Sequence, residues 1–311
     1  MRAFIFPGQG SQAVGMGAEL AKASAAARGV LEEVDEALGQ HLSRLMAEGP
    51  ADALTLTENA QPAIMANAIA ALAVLEGEGG LRLADKADYV AGHSLGEYSA
   101  LCAAQALDLA TTARLLRTRG QAMQAAVPAG EGAMAALIGT DFAGARALCE
   151  EAADSEVCQP ANDNGGGQVV ISGARAAVER AMALSKERGI KRAVPLPVSA
   201  PFHCALMQPA ADAMAQALGA VAIRPPLVPL YANVSASPVA EPTTIRTLLV
   251  EQVTGTVRWR ESVEAMVAAG VTEFVELGAK VLAPMVKRIA PDAKAVSLVG
   301  MADVEGWAAG L

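Results

Sequence analysis

Gly92-His93-Ser94-Leu95-Gly96 places a serine between two glycines directly after the short run Asp88-Tyr89-Val90-Ala91. This is the pattern of a nucleophile elbow. A strand turns sharply into a helix with the serine at the apex, and glycines at the flanks let neighbouring backbone pass close without a Cβ clash. Such a turn presents Oγ and the following N–H to an ester or thioester. The segment from Glu97 to Leu107, rich in alanine and free of Gly and Pro, supplies the helix the turn requires.

A serine hydroxyl is a weak nucleophile near neutral pH, so Ser94 needs a base within hydrogen-bond reach. The chain has three histidines, His41, His93 and His203. Consecutive side chains diverge at a tight turn, which makes His93 a residue that shapes the elbow or its pocket. His41 falls on an apparently solvated helix. His203, in the loop Pro201-Phe202-His203, is the expected base. The segment Pro7-Gly8-Gln9-Gly10-Ser11-Gln12 follows a first strand, Arg2 to Phe6, and so lies on the same edge of a parallel sheet as the elbow, where such sheets place their ligands. By spacing alone the segment serves equally as an ordinary strand-to-helix turn; as an oxyanion donor, with Gln9 lending polarity, it would complement the N–H of Leu95.

Positioning these groups requires alternating strands and helices. Leu20, Val30, Leu31, Val34, Leu38, Leu42 and Leu45 are spaced as an amphipathic helix broken at Gly29 and Gly39. Gln61 to Leu75 reads as a mostly buried helix, and Leu107 to Ala126 as another that Asp108 caps. Alternation of this kind implies a parallel sheet. Near Pro128 the texture changes. A β-α-β-α-β run follows, in which Ala133–Ile138, Gln168–Ser172 and Ala193–Val198 are strands and Asn162 to Gly167 is a loop. The order fits a small ferredoxin-like insert. Its glycine triplet lacks the register of a phosphate cradle. The division expected is a large domain from 1–127 and 199–311, with a small one at 128–198.

With 311 residues, 53% hydrophobic and 18% charged, the chain has ample material for a packed core, and at 3% aromatics that core rests on Ala, Val, Leu, Ile and Met. A net charge of −9 argues against nucleic acid as a partner. The longest apolar run, Ala63 to Leu75, falls short of a bilayer span, and Met1 to Phe6 reads as a strand and not as an export signal, so a soluble cytoplasmic protein is expected. Cys102, Cys149, Cys158 and Cys204 lack metal-ligand or redox spacing and are expected as free thiols. No metal is expected.

Pro7-Gly8-Gln9-Gly10-Ser11-Gln12, Gly92-His93-Ser94-Leu95-Gly96-Glu97-Tyr98, Arg119-Gly120 and Pro201-Phe202-His203 together resemble the malonyl-CoA:acyl carrier protein transacylases, acyltransferases of bacterial type II fatty acid synthesis. The similarity runs in order along essentially the whole chain. It implies an α/β fold, a large α/β-hydrolase-like domain with a parallel sheet plus a small ferredoxin-like α+β insert. It implies that Ser94 is acylated, that His203 is its base, and that Gln9 and Leu95 form the oxyanion hole. By the same resemblance the backbone carbonyl of Gln252 orients the histidine in place of an aspartate, and Arg119 binds the free carboxylate of malonyl. A guanidinium suits that task because it offers two parallel donors and stays charged when desolvated. His93, Phe202 and Met123 complete the substrate-binding set. The partners implied are malonyl-CoA and acyl carrier protein, with a monomeric enzyme and no cofactor.

Phe202 matches relatives that prefer malonyl, although a filled methyl pocket discriminates by only about 1–3 kcal/mol. One departure is Gly278-Ala279-Lys280-Val281-Leu282, one residue shorter than the family's loop. Acyl carrier proteins are acidic, so a local basic patch is needed on this acidic chain. Lys186, Arg188, Lys191 and Arg192 form one cluster, expected to dock the carrier; Lys280, Lys287 and Arg288 form another. A discrete acyltransferase for polyketide synthesis, a serine thioesterase or other hydrolase, and a noncatalytic carrier-binding module remain as alternative readings.

Overall fold

A computed structural model describes residues 1–77, 80–198 and 200–310. Among the described residues ten strands form two sheets. They are β1 (Arg2–Phe6), β2 (Tyr89–Gly92), β3 (Gly132–Ile138), β4 (Cys158–Gly165), β5 (Gln168–Ala174), β6 (Arg192–Pro195), β7 (Leu230–Ala232), β8 (Ser237–Val239), β9 (Glu273–Leu277) and β10 (Lys294–Leu298). The larger sheet has the order β10-β9-β1-β2-β7-β8, parallel throughout except for β8. β1 and β2 are adjacent and central, buried on both faces, and both end at the same edge. The carboxyl ends of their strands, Phe6 and Gly92, therefore open onto one crevice.

Helices cover this sheet on both faces. Thr57–Gly77, longer than the Gln61–Leu75 segment expected, is the one helix among the described residues long and apolar enough to cross a membrane, and it is instead a core helix packed against Leu109–Ala125. Asp108 caps the latter helix by accepting the Thr111 N–H. The N-terminal helical stretch breaks at Ser24 and not at Gly29, because the Ser24 side chain accepts the Ala27 N–H and starts a new helix, Ala25–Leu38. Gly29 continues inside that helix.

The smaller sheet is antiparallel, with the order β4-β5-β3-β6 and helices Phe142–Ala152 and Arg175–Leu184. Its element order is β-α-β-β-α-β, one strand more than the sequence reading, and its strand order is that of a ferredoxin-like unit. The segment expected as a loop, Asn162 to Gly167, is largely the end of β4 and the turn of a hairpin. Asn and Asp are poor strand formers, and tertiary contacts overrule that preference here. Asp163 pairs with Arg260 at 2.9 Å, Asn164 binds His93, and Asn162 bridges to Val257, so the polar strand end is bonded to the large sheet's helices and loops. Gly165, Gly166 and Gly167 take positive φ to close the turn.

The loop at Gly278 is firmly held. Gly278 has φ 80, donates to the Leu298 carbonyl and accepts from the Asn67 side chain at 2.6 Å. Buried Glu276 accepts the N–H groups of Val281, Leu282 and Ala283, which caps helix Leu282–Ile289. The boundary proposed at residue 199 lies outside the described residues.

Candidate active site

β2 ends at Gly92 and the helix Gly96–Ala103 begins four residues later, with Ser94 at φ 54 between them. The helix is shorter than the expected Glu97–Leu107 because Gln105 turns left-handed at φ 59. Both glycines are required by contact. A Cβ on Gly92 would stand 1.9 Å from the Gly96 carbonyl carbon, and one on Gly96 would stand 2.2 Å from the Phe6 carbonyl oxygen. The elbow is thus folded onto itself and onto the end of β1.

His203 is carried by the loop that follows β6, at φ 59, and its Nε2 lies 2.7 Å from Ser94 Oγ. Its Nδ1 donates to the backbone carbonyl of Gln252 at 2.8 Å. That bond settles the tautomer, since a carbonyl only accepts, and leaves Nε2 unprotonated toward the serine. Burial, reinforced by the charge of Arg119, pulls the His203 pKa down to about 3. The ring is therefore neutral, the state a proton acceptor needs.

This shift has a consequence for pH. The unfolded histidine takes up a proton near its ordinary value of about 6.5, whereas the folded one resists until far lower pH. Stability from this group is present above about 6.5 and is lost as pH falls toward 3. The rate of Ser94 acylation is expected to show no limb at the ordinary histidine value and to decline only below about pH 5. Stopped-flow acylation between pH 5 and 8 checks this; a half-maximal rate near 6.5 would contradict it.

Arg119 comes from helix Leu109–Ala125 and is 1% exposed. Its Nη1 donates to Gln61 Oε1 at 2.9 Å, and its Nη2 to Gln252 Oε1 at 2.8 Å and to Ser94 Oγ at 3.1 Å. Its Nε has no partner, and Tyr98 stacks at 5.8 Å from the guanidinium carbon. Among the described residues its hydrogen bonds go to neutral amides and a hydroxyl, never to a carboxylate. The buried carboxylate of Glu97 attracts this charge only from behind Gln252, so no anion is bonded to the guanidinium on its cavity side, where one would be favoured.

A cavity of about 290 Å³ opens over these groups. Gln9, His93, Ser94, Arg119, Met123, Phe202 and His203 all line it, so the structure gathers these residues at one place. Leu95 and Gln252 stand behind the wall, 1% and 0% exposed. Gln9 Nε2 reaches Thr57 Oγ1 at 3.4 Å. The Leu95 N–H donates to no protein group among the described residues. His93 faces away from the serine, with its Nε2 2.9 Å from Asn164 Oδ1 and its ring 5.9 Å from that of Trp259. His41 is exposed at the start of helix Leu42–Glu48, beside Asp35.

The basic residues are split. Lys186, Arg188, Lys191 and Arg192 are exposed, but Arg188 is committed to Glu151. The four cysteines are free thiols.

Several site residues had no role in the sequence reading. Gln61 is one of several buried polar side chains, with Asn59 and Asn67, in a mostly apolar helix, and nothing near it in sequence marks it out from them. Asn233, just beyond β7, and Asn164, at the end of β4, carried no signal either. Glu97 sat inside the quoted motif with its function unassigned.

An α/β fold with a serine at a strand-to-helix elbow, a neutral histidine on its hydroxyl and a buried guanidinium beside both defines a serine-dependent acyl-transfer enzyme. The acyl transferase domain family matches residues 3–303. Malonyl CoA-acyl carrier protein transacylase from Bacillus subtilis (strain 168) is 47% identical over 289 residues, covering 92% of this chain and 90% of the relative. The enzyme of the same name from Escherichia coli (strain K12) is 47% identical over 288 residues, covering 92% of each. The crystal structure of an acyl-carrier-protein S-malonyltransferase from Bartonella henselae superposes with a TM-score of 0.96 at 55% identity, covering 98% of both chains. A malonyl-transacylase solved in complex with a type II polyketide synthase acyl carrier protein superposes with a TM-score of 0.96 at 40% identity, covering 100% of this chain and 99% of the other. The chain belongs to the malonyl CoA-acyl carrier protein transacylase family.

Proposed function

We propose that this protein moves a malonyl group from malonyl-CoA to the phosphopantetheine thiol of an acyl carrier protein, supplying fatty acid synthesis, through an ester on Ser94. The observation that carries the reading is Arg119, a buried guanidinium 3.1 Å from the nucleophile and bonded to no carboxylate among the described residues. The acyl group it selects carries a carboxylate of its own.

In the first half-reaction His203 Nε2 takes the proton of Ser94 Oγ as the oxygen attacks the thioester carbonyl. The Leu95 N–H and Gln9 receive the oxyanion, the carbon–sulfur bond breaks, and the proton returns from His203 to the coenzyme A sulfur. In the second, the carrier's thiol gives its proton to His203, attacks the malonyl-serine ester and regenerates Ser94. Gln252 holds the histidine through its carbonyl, so no aspartate is needed. His93, Phe202 and Met123 shape the acyl pocket. Only the protein's own groups take part in this chemistry, so it proceeds without a cofactor. We further assign residues 1–127 and 199–311 to a large domain and 128–198 to a small one, acting as a cytoplasmic monomer.

Transfer is separated from hydrolysis by the acceptor. With malonyl-CoA alone, the enzyme is expected to release free malonate far more slowly than it loads added holo-carrier. Equal rates in both assays would identify a hydrolase.

Carrier docking is assigned to Lys186, Lys191 and Arg192, with Arg188 partly neutralised by Glu151. Like charges repel over about a Debye length, so the double reversal Lys191→Glu and Arg192→Glu is expected to raise the KM for carrier by about fivefold or more at low salt. The rate of Ser94 malonylation should not change. A KM equal to wild type at low salt would remove the patch from the account.

A further inference from the structure

The chemistry above leaves unused a buried carboxylate directly behind it. Glu97 is 1% exposed and lies on the first turn of the helix that follows the nucleophile. Its Oε1 accepts the backbone N–H of Asn233 at 2.9 Å, and its Oε2 accepts the side-chain amide of Gln252. These same two residues hold the backbone of Ser94. Asn233 Oδ1 accepts the Ser94 N–H at 2.8 Å, and Gln252 Nε2 donates to the Ser94 carbonyl at 2.8 Å. Asn233 also donates to the Gly92 carbonyl at 2.6 Å.

Ser94 has reason to need holding. A non-glycine residue at φ 54 costs on the order of 1–3 kcal/mol and persists only where its surroundings over-determine it. Gln252 extends the network further, since its Oε1 accepts Arg119 Nη2 and its main-chain carbonyl accepts His203 Nδ1. A carboxylate only accepts, so it dictates which end of the Gln252 amide faces it. With Nε2 turned to Glu97 and the Ser94 carbonyl, Oε1 is left for Arg119.

We propose that Glu97 is a positioning residue for acyl transfer, whose carboxylate fixes the Gln252 amide and the Asn233 backbone and through them the strained elbow and the Arg119 guanidinium. Burial pushes the pKa of its carboxyl up to about 8 against the bonds from Asn233 and Gln252 and the charge of Arg119, yet both of its oxygens meet N–H donors, an arrangement that the ionised form satisfies. The assignment rests on the acyl-transfer reading of this site. Its test therefore includes a reagent that reads the elbow alone.

Glu97→Gln keeps the volume but turns a donor toward the Gln252 amide. Two donors then oppose each other, or Gln252 flips and sets its carbonyl against that of Ser94. In the full-length protein, both single-turnover malonylation and sulfonylation of Ser94 by phenylmethanesulfonyl fluoride, which carries no carboxylate, should slow by about tenfold or more. The KM for malonyl-CoA should move far less, because Glu97 does not touch substrate. The double variant Glu97→Gln with Gln252→Glu restores an amide–carboxylate pair and the bond to Arg119, yet opposes the Ser94 carbonyl. It is expected to recover thermal stability and to remain slow. Wild-type rates in either folded variant overturn the assignment, as does slow malonylation with unchanged sulfonylation. Failure of both variants to fold would make Glu97 part of the scaffold and likewise overturn it. Wild-type protein that is sulfonylated but never malonylated would instead overturn the proposed function and leave the role of Glu97 at the elbow intact.

Discussion

Ser94→Ala is expected to reduce malonyl transfer by about a million-fold, the scale on which removal of a nucleophile acts in comparable serine enzymes. The base of the proposed mechanism acts on the oxygen this change removes. His203 Nε2 accepts from it at 2.7 Å and Arg119 Nη2 donates to it at 3.1 Å, so in the variant the histidine loses the proton it would take while the guanidinium keeps its bonds to Gln252 and Gln61. The fold should survive. Asn233 and Gln252 hold the backbone N–H and carbonyl of residue 94, and these bonds do not depend on the hydroxyl. Steady-state transfer assays paired with thermal unfolding check both halves. Residual transfer above about one part in a thousand, in folded protein, would place the acyl intermediate elsewhere.

Arg119→Ala has the next largest effect, and its signature is a change of preference. A hydrogen bond to a charged group contributes about 1.5–3 kcal/mol, so losing the pair of bonds to a malonyl carboxylate should cost about 10²–10⁴-fold in kcat/KM for malonyl-CoA. Acetyl-CoA has no carboxylate to lose. Its kcat/KM should fall less, through loss of the Arg119 bond to Ser94 Oγ, and the malonyl-to-acetyl ratio should drop at least tenfold. Arg119→Lys should not restore the ratio, because an ammonium cannot present the parallel fork. The truncation also leaves Gln61 Oε1 and Gln252 Oε1 without their donor inside the protein, so a lowered melting temperature is expected as well. Equal losses for both thioesters would show that Arg119 serves the serine and not the substrate.

Much of this site was legible from residue type and spacing, because the elbow is a local device. A turn that needs Gly92 and Gly96 for backbone contact announces itself in five consecutive residues. The parallel sheet was legible for a similar reason, from the alternation of β-prone and helical segments. What escaped was set by long-range contact. β4 ends in Asn162-Asp163-Asn164-Gly165, a string that reads as a loop, and becomes strand only because Arg260, His93 and Val257 bind its polar groups from other parts of the chain. Asn233 belongs to the same category. Nothing near it in sequence shows that it will close on Ser94 and Gly92, 139 and 141 residues earlier. At Ser24 the capping capacity of a serine outweighs the low helix propensity of Gly29, so the helix breaks at the former and runs through the latter.

On the proposed function, the pocket would select its acyl group by two separate means. Arg119 would supply attraction for a carboxylate at one side of the nucleophile, while Phe202, 7% exposed, and Met123, 1% exposed, line the same cavity and would bound the space for the acyl chain. The first effect is electrostatic and large, the second steric and limited to about 1–3 kcal/mol for one methyl group. Exclusion of acetyl should therefore be stricter than exclusion of methylmalonyl.

The central claim is that Ser94 carries the malonyl group between two thiols, and a rapid-quench intact-mass experiment addresses it directly. Wild-type protein mixed with malonyl-CoA should gain one malonyl group, mapped by peptide analysis to Ser94, and should lose it to the carrier when holo-acyl carrier protein is added. Transfer to the carrier with no malonyl-enzyme formed at any time, or an adduct on another residue, would contradict the account.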